Sequence, residues 1–272
     1  MTTPRLTDRQ ALIRNRARTR DEALFLHDAA IEETEARLAM VKRTFTAPLI
    51  VGPQAERWAA ALGLQARCIA DDEVLDVVEG AHDLVIHAMA LHWASDPVGQ
   101  IIQSRRALRP DGLFLATLFG GQTLHELRAA LAAAETEITA GLSPRVAPMA
   151  EIRDLGGLLQ RAGLALPVAD CDRLTVTYAT PLHLMRELRA MGEGNALDHR
   201  LRRPTRRAVL TRAAEIYTER FALPDGRVPA TFEIVHLSGW APDASQPQPL
   251  RPGSATHRLA DALGAAETPL KD

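Results

Sequence analysis

The chain has 272 residues, is 46% hydrophobic and carries a formal charge of −2, so it can bury a large core in one domain or one domain with an appendage. That charge excludes a bulk field for nucleic acid or an anionic membrane, and no apolar run reaches the roughly 18–20 residues a membrane span needs. Two distant cysteines, Cys68 and Cys171, form no CxxC pair, which argues against a disulfide or zinc framework and suits the reducing cytoplasm.

Residues 5–43 are rich in Ala, Arg, Glu and Leu without Gly or Pro and read as helix. The alternating Arg14, Arg16, Arg18 and Arg20 suggest a transit peptide, but Asp8, Asp21 and Glu22 favour an exposed helix. "APLIVG" (47–52) reads as a buried parallel strand, and "PQAERWAAALG" as the helix after it, with Pro53 at its first position and Gly63 at its exit. "QARCIA" (65–70) is a second strand, and Leu84, Val85 and Ile86 centre a third within 82–93. A helix over 96–112 closes in a Pro-Asp-Gly turn before the strand "LFLATLF" (113–119). Helices follow over 123–138 and 149–163, then two strands over 173–179 and 231–241 with two helices between them. From Pro242 the composition turns to Pro, Ser and Gly and reads as irregular. Strands alternating with helices imply a doubly wound, mainly parallel sheet. The organisation expected is a helical segment over 1–44, an α/β domain over 45–241 and a tail over 242–272.

Five segments in order are more specific: "DLVIHAMALHWASDP", "ALRPDGLFLATLFGGQTLHELRAALAAAE", "SPRVAPMAEIRDLGGLLQRAG", "LMRELRAMGEGNAL" and "DGRVPATFEIVHLSGWAP". Together they resemble the class I S-adenosylmethionine methyltransferase-fold family. Within it they are most similar to a branch holding an assembly factor of respiratory complex I and the malonyl-carrier methyltransferase of biotin synthesis. "RPGSAT" (251–256) is similar to the assembly factor's C-terminal signature. The resemblance implies a seven-stranded sheet with a reversed terminal hairpin, S-adenosylmethionine as cofactor, and a protein substrate or assembly partner. Independently of it, the charge argues against nucleic acid, no apolar run is long enough for a transmembrane segment, and His87 and His92 lack the spacing of a metal pair. In the assembly factor it implies arginine hydroxylation rather than methylation.

The cofactor loop of that family resembles L-x-L-G-C-G-x-G. Here Leu49-Ile50-Val51-Gly52-Pro53-Gln54-Ala55-Glu56 keeps Gly52 and puts Gln54 and Glu56 where two glycines are expected. Those glycines admit positive φ and a close backbone approach; alternatively, Gly52 is simply the N-cap of a helix. Some thirty residues separate Gly52 from Asp83, so one strand and its helix are expected to be missing, leaving a six-stranded sheet. The ribose carboxylate would go with them unless Asp71 or Asp72 takes its place. Asp71 is similar to the family's acidic residue after its third strand, where a carboxylate can meet the adenine amino group; alternatively it caps a short helix over 72–78. His87 at a strand end is either a general base or a hydrogen-bonded structural histidine. His92-Trp93 matches the family's LHW, with Trp93 read as packing. Gly120-Gly121, with Thr123 as a helix cap, forms either a substrate loop or a plain turn, and the surface from Gly120 to Arg128 is a candidate partner contact. Arg202, Arg203, Arg206 and Arg207 form either a solvated helix entry or an acidic-partner patch. Two functions fit: a methyltransferase-like protein of complex I assembly with a degenerate cofactor loop, or a non-catalytic assembly or binding protein on the same fold. A nicotinamide dehydrogenase is disfavoured because the full glycine fingerprint is absent.

Overall fold

The computed structural model describes residues 5–247 and Gly264; "RPGSAT" lies outside them. The chain divides into two units, Met1–Pro242 and Asp243–Asp272. The first holds all the strands and helices of the described residues. Among those residues no helix is long and apolar enough to cross a membrane.

Six strands form one sheet: β1 (Pro48–Val51), β2 (Arg67–Ile69), β3 (His82–Ala88), β4 (Leu108–Phe119), β5 (Ala165–Tyr178) and β6 (Val228–Trp240). Their order is β2-β1-β3-β4-β6-β5, with β1 to β4 parallel and β6 antiparallel to both neighbours. This is the doubly wound sheet with a reversed hairpin, one strand short of seven. Alternation along the strands serves two layers. Ile50, Leu84, Ile86 and Leu115 meet α2 (Phe25–Val41), α3 (Ala55–Ala61), α5 (His125–Thr139), α7 (Pro181–Ala190) and α8 (Arg207–Phe221) on one face. Leu49, Val51, Val85 and Phe114 meet α4 (Pro97–Ala107) and α6 (Ile152–Arg161) on the other.

Several local expectations change. The single N-terminal helix is two, α1 (Arg9–Arg16) and α2, broken by a 3₁₀ turn over Asp21–Ala23. Tertiary bonds replace helical ones at the break, where Arg20 N donates to Ala190 O at 2.8 Å. Nor is this region simply exposed, since Leu12, Leu24, Leu26 and Ala30 are buried. Pro53 precedes the first helical position of α3, whose N-cap is Gln54 rather than Gly52. The Arg109–Gly112 turn falls inside β4, with Asp111 at φ 59° and a register shift against β3. Residues 72–78 form no helix, so Asp71 caps none. Thr123 is not the cap of α5 either: Leu124 holds that position in a left-handed conformation, and Thr123 Oγ1 bonds Gly120 O at 2.8 Å.

Candidate functional site

Parallel strands place their C-terminal ends on one edge, where open α/β sheets take their ligands. Gly52 ends β1 there with φ 153°, and a Cβ on it would stand 2.5 Å from Ala88 O of β3. The glycine is needed because two strand ends cross at backbone contact. Gln54 and Glu56 are not strained: Gln54 has φ −120°, and neither residue has positive φ. The loop has therefore adopted a shape that does not call for the two absent glycines.

β2 lies directly against β1, so Asp71 at its exit stands about 20 residues past Gly52, where a doubly wound half carries its ribose acid. Its side chain is only 4% exposed and both oxygens are engaged. Arg16 Nη1 donates to Oδ1 at 2.7 Å and Arg9 Nη1 to Oδ2 at 3.3 Å, while Arg9 Nη2 reaches Asp72 Oδ1 at 3.0 Å. Burial alone would push the Asp71 carboxyl up; Arg16 and Arg9 outweigh it and hold it below its ordinary value. Asp72 is 65% exposed and serves only as the outer partner of Arg9.

Both arginines come from α1, which is pinned across this edge. Asp8 caps the helix through Ala11 N at 3.1 Å, and Arg200 holds Asp8 Oδ2 at 2.9 Å. Thr7 Oγ1 donates to Trp93 O at 2.7 Å and Asn15 Nδ2 to Gly194 O at 2.9 Å. Ala11 and Leu12 pack with Trp93, Ala147, Ala196 and Leu197 in a cluster separate from the two main cores.

His87 is wholly buried in β3, and its Nε2 meets Gln100 Oε1 at 2.8 Å. Gln100 Nε2 in turn donates to Asp71 O and Asp72 O at 3.3 and 3.0 Å. Burial lowers the imidazole to about 4, so it is neutral and ties β3 to the strap after β2. This is the structural reading of His87.

Beside the filled edge an open cavity of about 210 Å³ remains between the ends of β3 and β4 and helices α5, α7 and α8. Its walls are mostly apolar, with Trp93, Phe119 and Phe232 among them. One carboxylate, Glu193, stands in that wall with its side chain 9% exposed. Trp93 Nε1 donates to its Oε2 at 2.7 Å and His92 Nε2 lies 3.2 Å from the same oxygen. Among the described residues no hydrogen bond reaches Oε1. Burial would raise Glu193; His92, Arg16 and the Trp93 N–H outweigh it, so the carboxylate is ionised.

Sequence reasoning missed Glu193, Arg9, Arg16 and Gln100. A signal existed for the first: Glu193 sits between two glycines in one of the five resembling segments. Gly192 has φ 88°, and a Cβ there would meet Thr19 Oγ1 at 2.6 Å, so the turn is shaped to lie against the N-terminal segment. Trp93 proves to be both packing and hydrogen-bond donor. The stretch from Gly120 to Arg128 is largely buried, with Gln122 its exposed residue, and Thr123, Leu124 and Leu127 line the cavity instead. Of the four clustered arginines, Arg202 is matched by Asp8 and Asp198 at 3.3 Å each. The described residues contain no group of three metal-ligating side chains.

No family model matches the chain. It is 40% identical over 199 residues to the arginine-hydroxylase NDUFAF5, mitochondrial, of Danio rerio, covering 73% of this chain and 62% of that protein. It is 37% identical over 175 residues to the malonyl-[acyl-carrier protein] O-methyltransferase of Halorhodospira halophila, covering 64% and 57%. The chain thus spans less than two thirds of the length of these curated relatives. Among solved structures, a candidate methyltransferase from Bacillus halodurans superposes with a TM-score of 0.50 at 15% identity, over 77% of this chain and 99% of that one. By its sheet order, its reversed hairpin and this superposition, the chain has the class I S-adenosylmethionine methyltransferase fold.

Proposed function

We propose that this chain is a methyltransferase-like protein of respiratory complex I assembly that holds an arginine-bearing segment of a protein partner, with a weakened cofactor edge. One observation carries the reading: Arg9 and Arg16 saturate the ribose-position carboxylate Asp71, while the neighbouring cavity stays open around an ionised Glu193. As arranged, Asp71 is 4% exposed beneath α1 with an arginine on each oxygen, so a ribose diol reaches it only by displacing them, and a charge-assisted hydrogen bond contributes roughly 1.5–3 kcal/mol. Two such losses move micromolar binding to millimolar or weaker at about 1.4 kcal/mol per tenfold. The cavity suits an aliphatic stem ending in a guanidinium, which would pass the apolar walls and meet Glu193 Oε1. That chemistry agrees with the name of the arginine-hydroxylase relatives.

Calorimetric titration of the full chain with S-adenosylmethionine and its demethylated product is the test. Silence at micromolar concentration supports the weakened edge; micromolar affinity overturns it. A second reading, an active methyltransferase, is favoured by the likeness to the malonyl-carrier enzyme and would be supported by that same affinity. An arginine peptide with uncharged flanks tests the cavity: it should bind the native chain and lose affinity for Glu193→Gln. A cytoplasmic location is also our proposal; the NDUFAF5 relatives are named as mitochondrial.

A further inference from the structure

A pocket of about 430 Å³ on the same side of the molecule is lined by Arg18, Arg20, Arg186 and Arg189. All four residues are exposed. The partly buried arginines Arg9, Arg16, Arg37, Arg145 and Arg200 each meet a carboxylate, whereas exposed ones such as Arg14, Arg203 and Arg220 meet none among the described residues; what sets this pocket apart is that four such arginines converge on it. The four in this pocket have no side-chain hydrogen bond or ion pair with any described residue. Asp21, Glu22 and Glu187, near them in sequence, form no ion pair with them.

The convergence is built by the backbone. Arg20 N donates to Ala190 O at 2.8 Å and Thr19 Oγ1 to Met191 O at 3.4 Å, which fastens the turn after α1 to the end of α7. The C-terminal dipole of α7 accounts for Arg189 in its last turn, but not for two more arginines brought in from another segment. Like charges gathered without a counterion repel, and an anion between them removes that repulsion. Guanidinium forks match carboxylates and phosphates in two-point geometry.

Arg189 lines this pocket and the cavity that holds Glu193. A chain entering the cavity therefore leaves over the arginines. A membrane is a poorer occupant, because Leu182, 40% exposed, is the exposed large hydrophobic that α7 offers, whereas interfacial helices bury a broad apolar face. We propose that the pocket of Arg18, Arg20, Arg186 and Arg189 docks an acidic segment of the partner, flanking the residue that enters the cavity. The link to the cavity rests on the function proposed above; the basic pocket itself does not.

The test is fluorescence anisotropy of a labelled hexaglutamate peptide with the full chain at low and moderate salt. The native chain binds it in a salt-sensitive way, and Arg18→Glu/Arg20→Glu/Arg186→Glu weakens binding at least about tenfold. Arg189 is kept because it lines the cavity. Arg18→Gln/Arg20→Gln/Arg186→Gln falls between the two and guards against a folding defect in the reversed chain. No peptide binding, equal binding by native and reversed chains, or capture by phosphatidylglycerol vesicles with the peptide silent overturns the proposal. Failure of the arginine peptide at Glu193 would count against the cavity and leave the hexaglutamate result standing.

Discussion

The C-terminal edge of the sheet has two unlike halves. Beyond β1, β2 and β3 the space is covered by α1, and Asp71 faces two arginines, His87 Nε2 faces Gln100 and Gln100 faces the strap, while Arg16 Nε and Nη2 and His87 Nδ1 stay buried without a partner among the described residues. Beyond β4 the walls are mostly apolar, with Arg145 and Arg189 among them, the space is open, and the one ionised carboxylate in them has bonds on a single oxygen. The first half thus pairs its carboxylate within the chain, whereas the second keeps an open cavity. The difference teaches where binding free energy is available: a group already paired offers only exchange, while a group held ionised and half-satisfied offers a net gain.

The contrast can be broken most forcefully at Asp71. Asp71→Ala leaves Arg9 and Arg16 without their buried partner and should lower the unfolding free energy by about 3–5 kcal/mol in denaturant titration. A loss near 1 kcal/mol would mean the arginines find water, and the filled half is looser than its geometry.

Acid attacks the same half next. His27 and His87 are both lowered to about 4, mainly by burial, and are neutral in the fold. In the unfolded chain each takes up a proton near pH 6.5. Between about pH 6.5 and 4 the unfolded chain therefore binds protons the folded chain does not, and stability falls on acidification, by up to about 3 kcal/mol per histidine. Asp71, lowered, adds its loss only as pH drops further, through its folded value. A stability curve flat from pH 7 to 5 would contradict the buried neutral state. Gly52→Ala comes third: the Cβ meets Ala88 O and the φ suits glycine, so a loss of about 2 kcal/mol is expected in the same titration. The smallest effect sharpens the comparison. Gln54→Gly/Glu56→Gly should cost about 1 kcal/mol through α3 and leave S-adenosylmethionine titration silent, since Asp71 remains occupied. Micromolar binding by that variant would place the obstacle in the loop.

The sheet was legible because strand cores such as Leu84-Val85-Ile86 are continuous apolar runs bounded by turns, and the short span between Gly52 and Asp83 left room for only one strand. The loop's departure from its family pattern was also plain, but not its harmlessness, because dihedral strain depends on a path that residue types alone do not specify. What fills the edge was hidden. Arg9 and Arg16 resemble any solvated helical arginine until tertiary contacts bring α1 over β2, and Asp71 read either as a cofactor contact or as a cap for a helix that does not form. Glu193 was quoted inside a resembling segment, yet its burial follows from the fold of the turn around it and not from its neighbours in sequence.

The fastening of α1 also sets an order in time. Arg16 waits 55 residues for Asp71, and Asn15 waits 179 for the carbonyl of Gly194. At about 5–20 residues per second of synthesis, roughly ten to thirty-five seconds pass between the emergence of α1 and that of its last anchor. Asp71 reaches Arg16 within roughly the first third of that interval, but Leu12 waits for Ala196 and Leu197 before its cluster can close. The edge is therefore sealed in two stages, first by charge and later by packing.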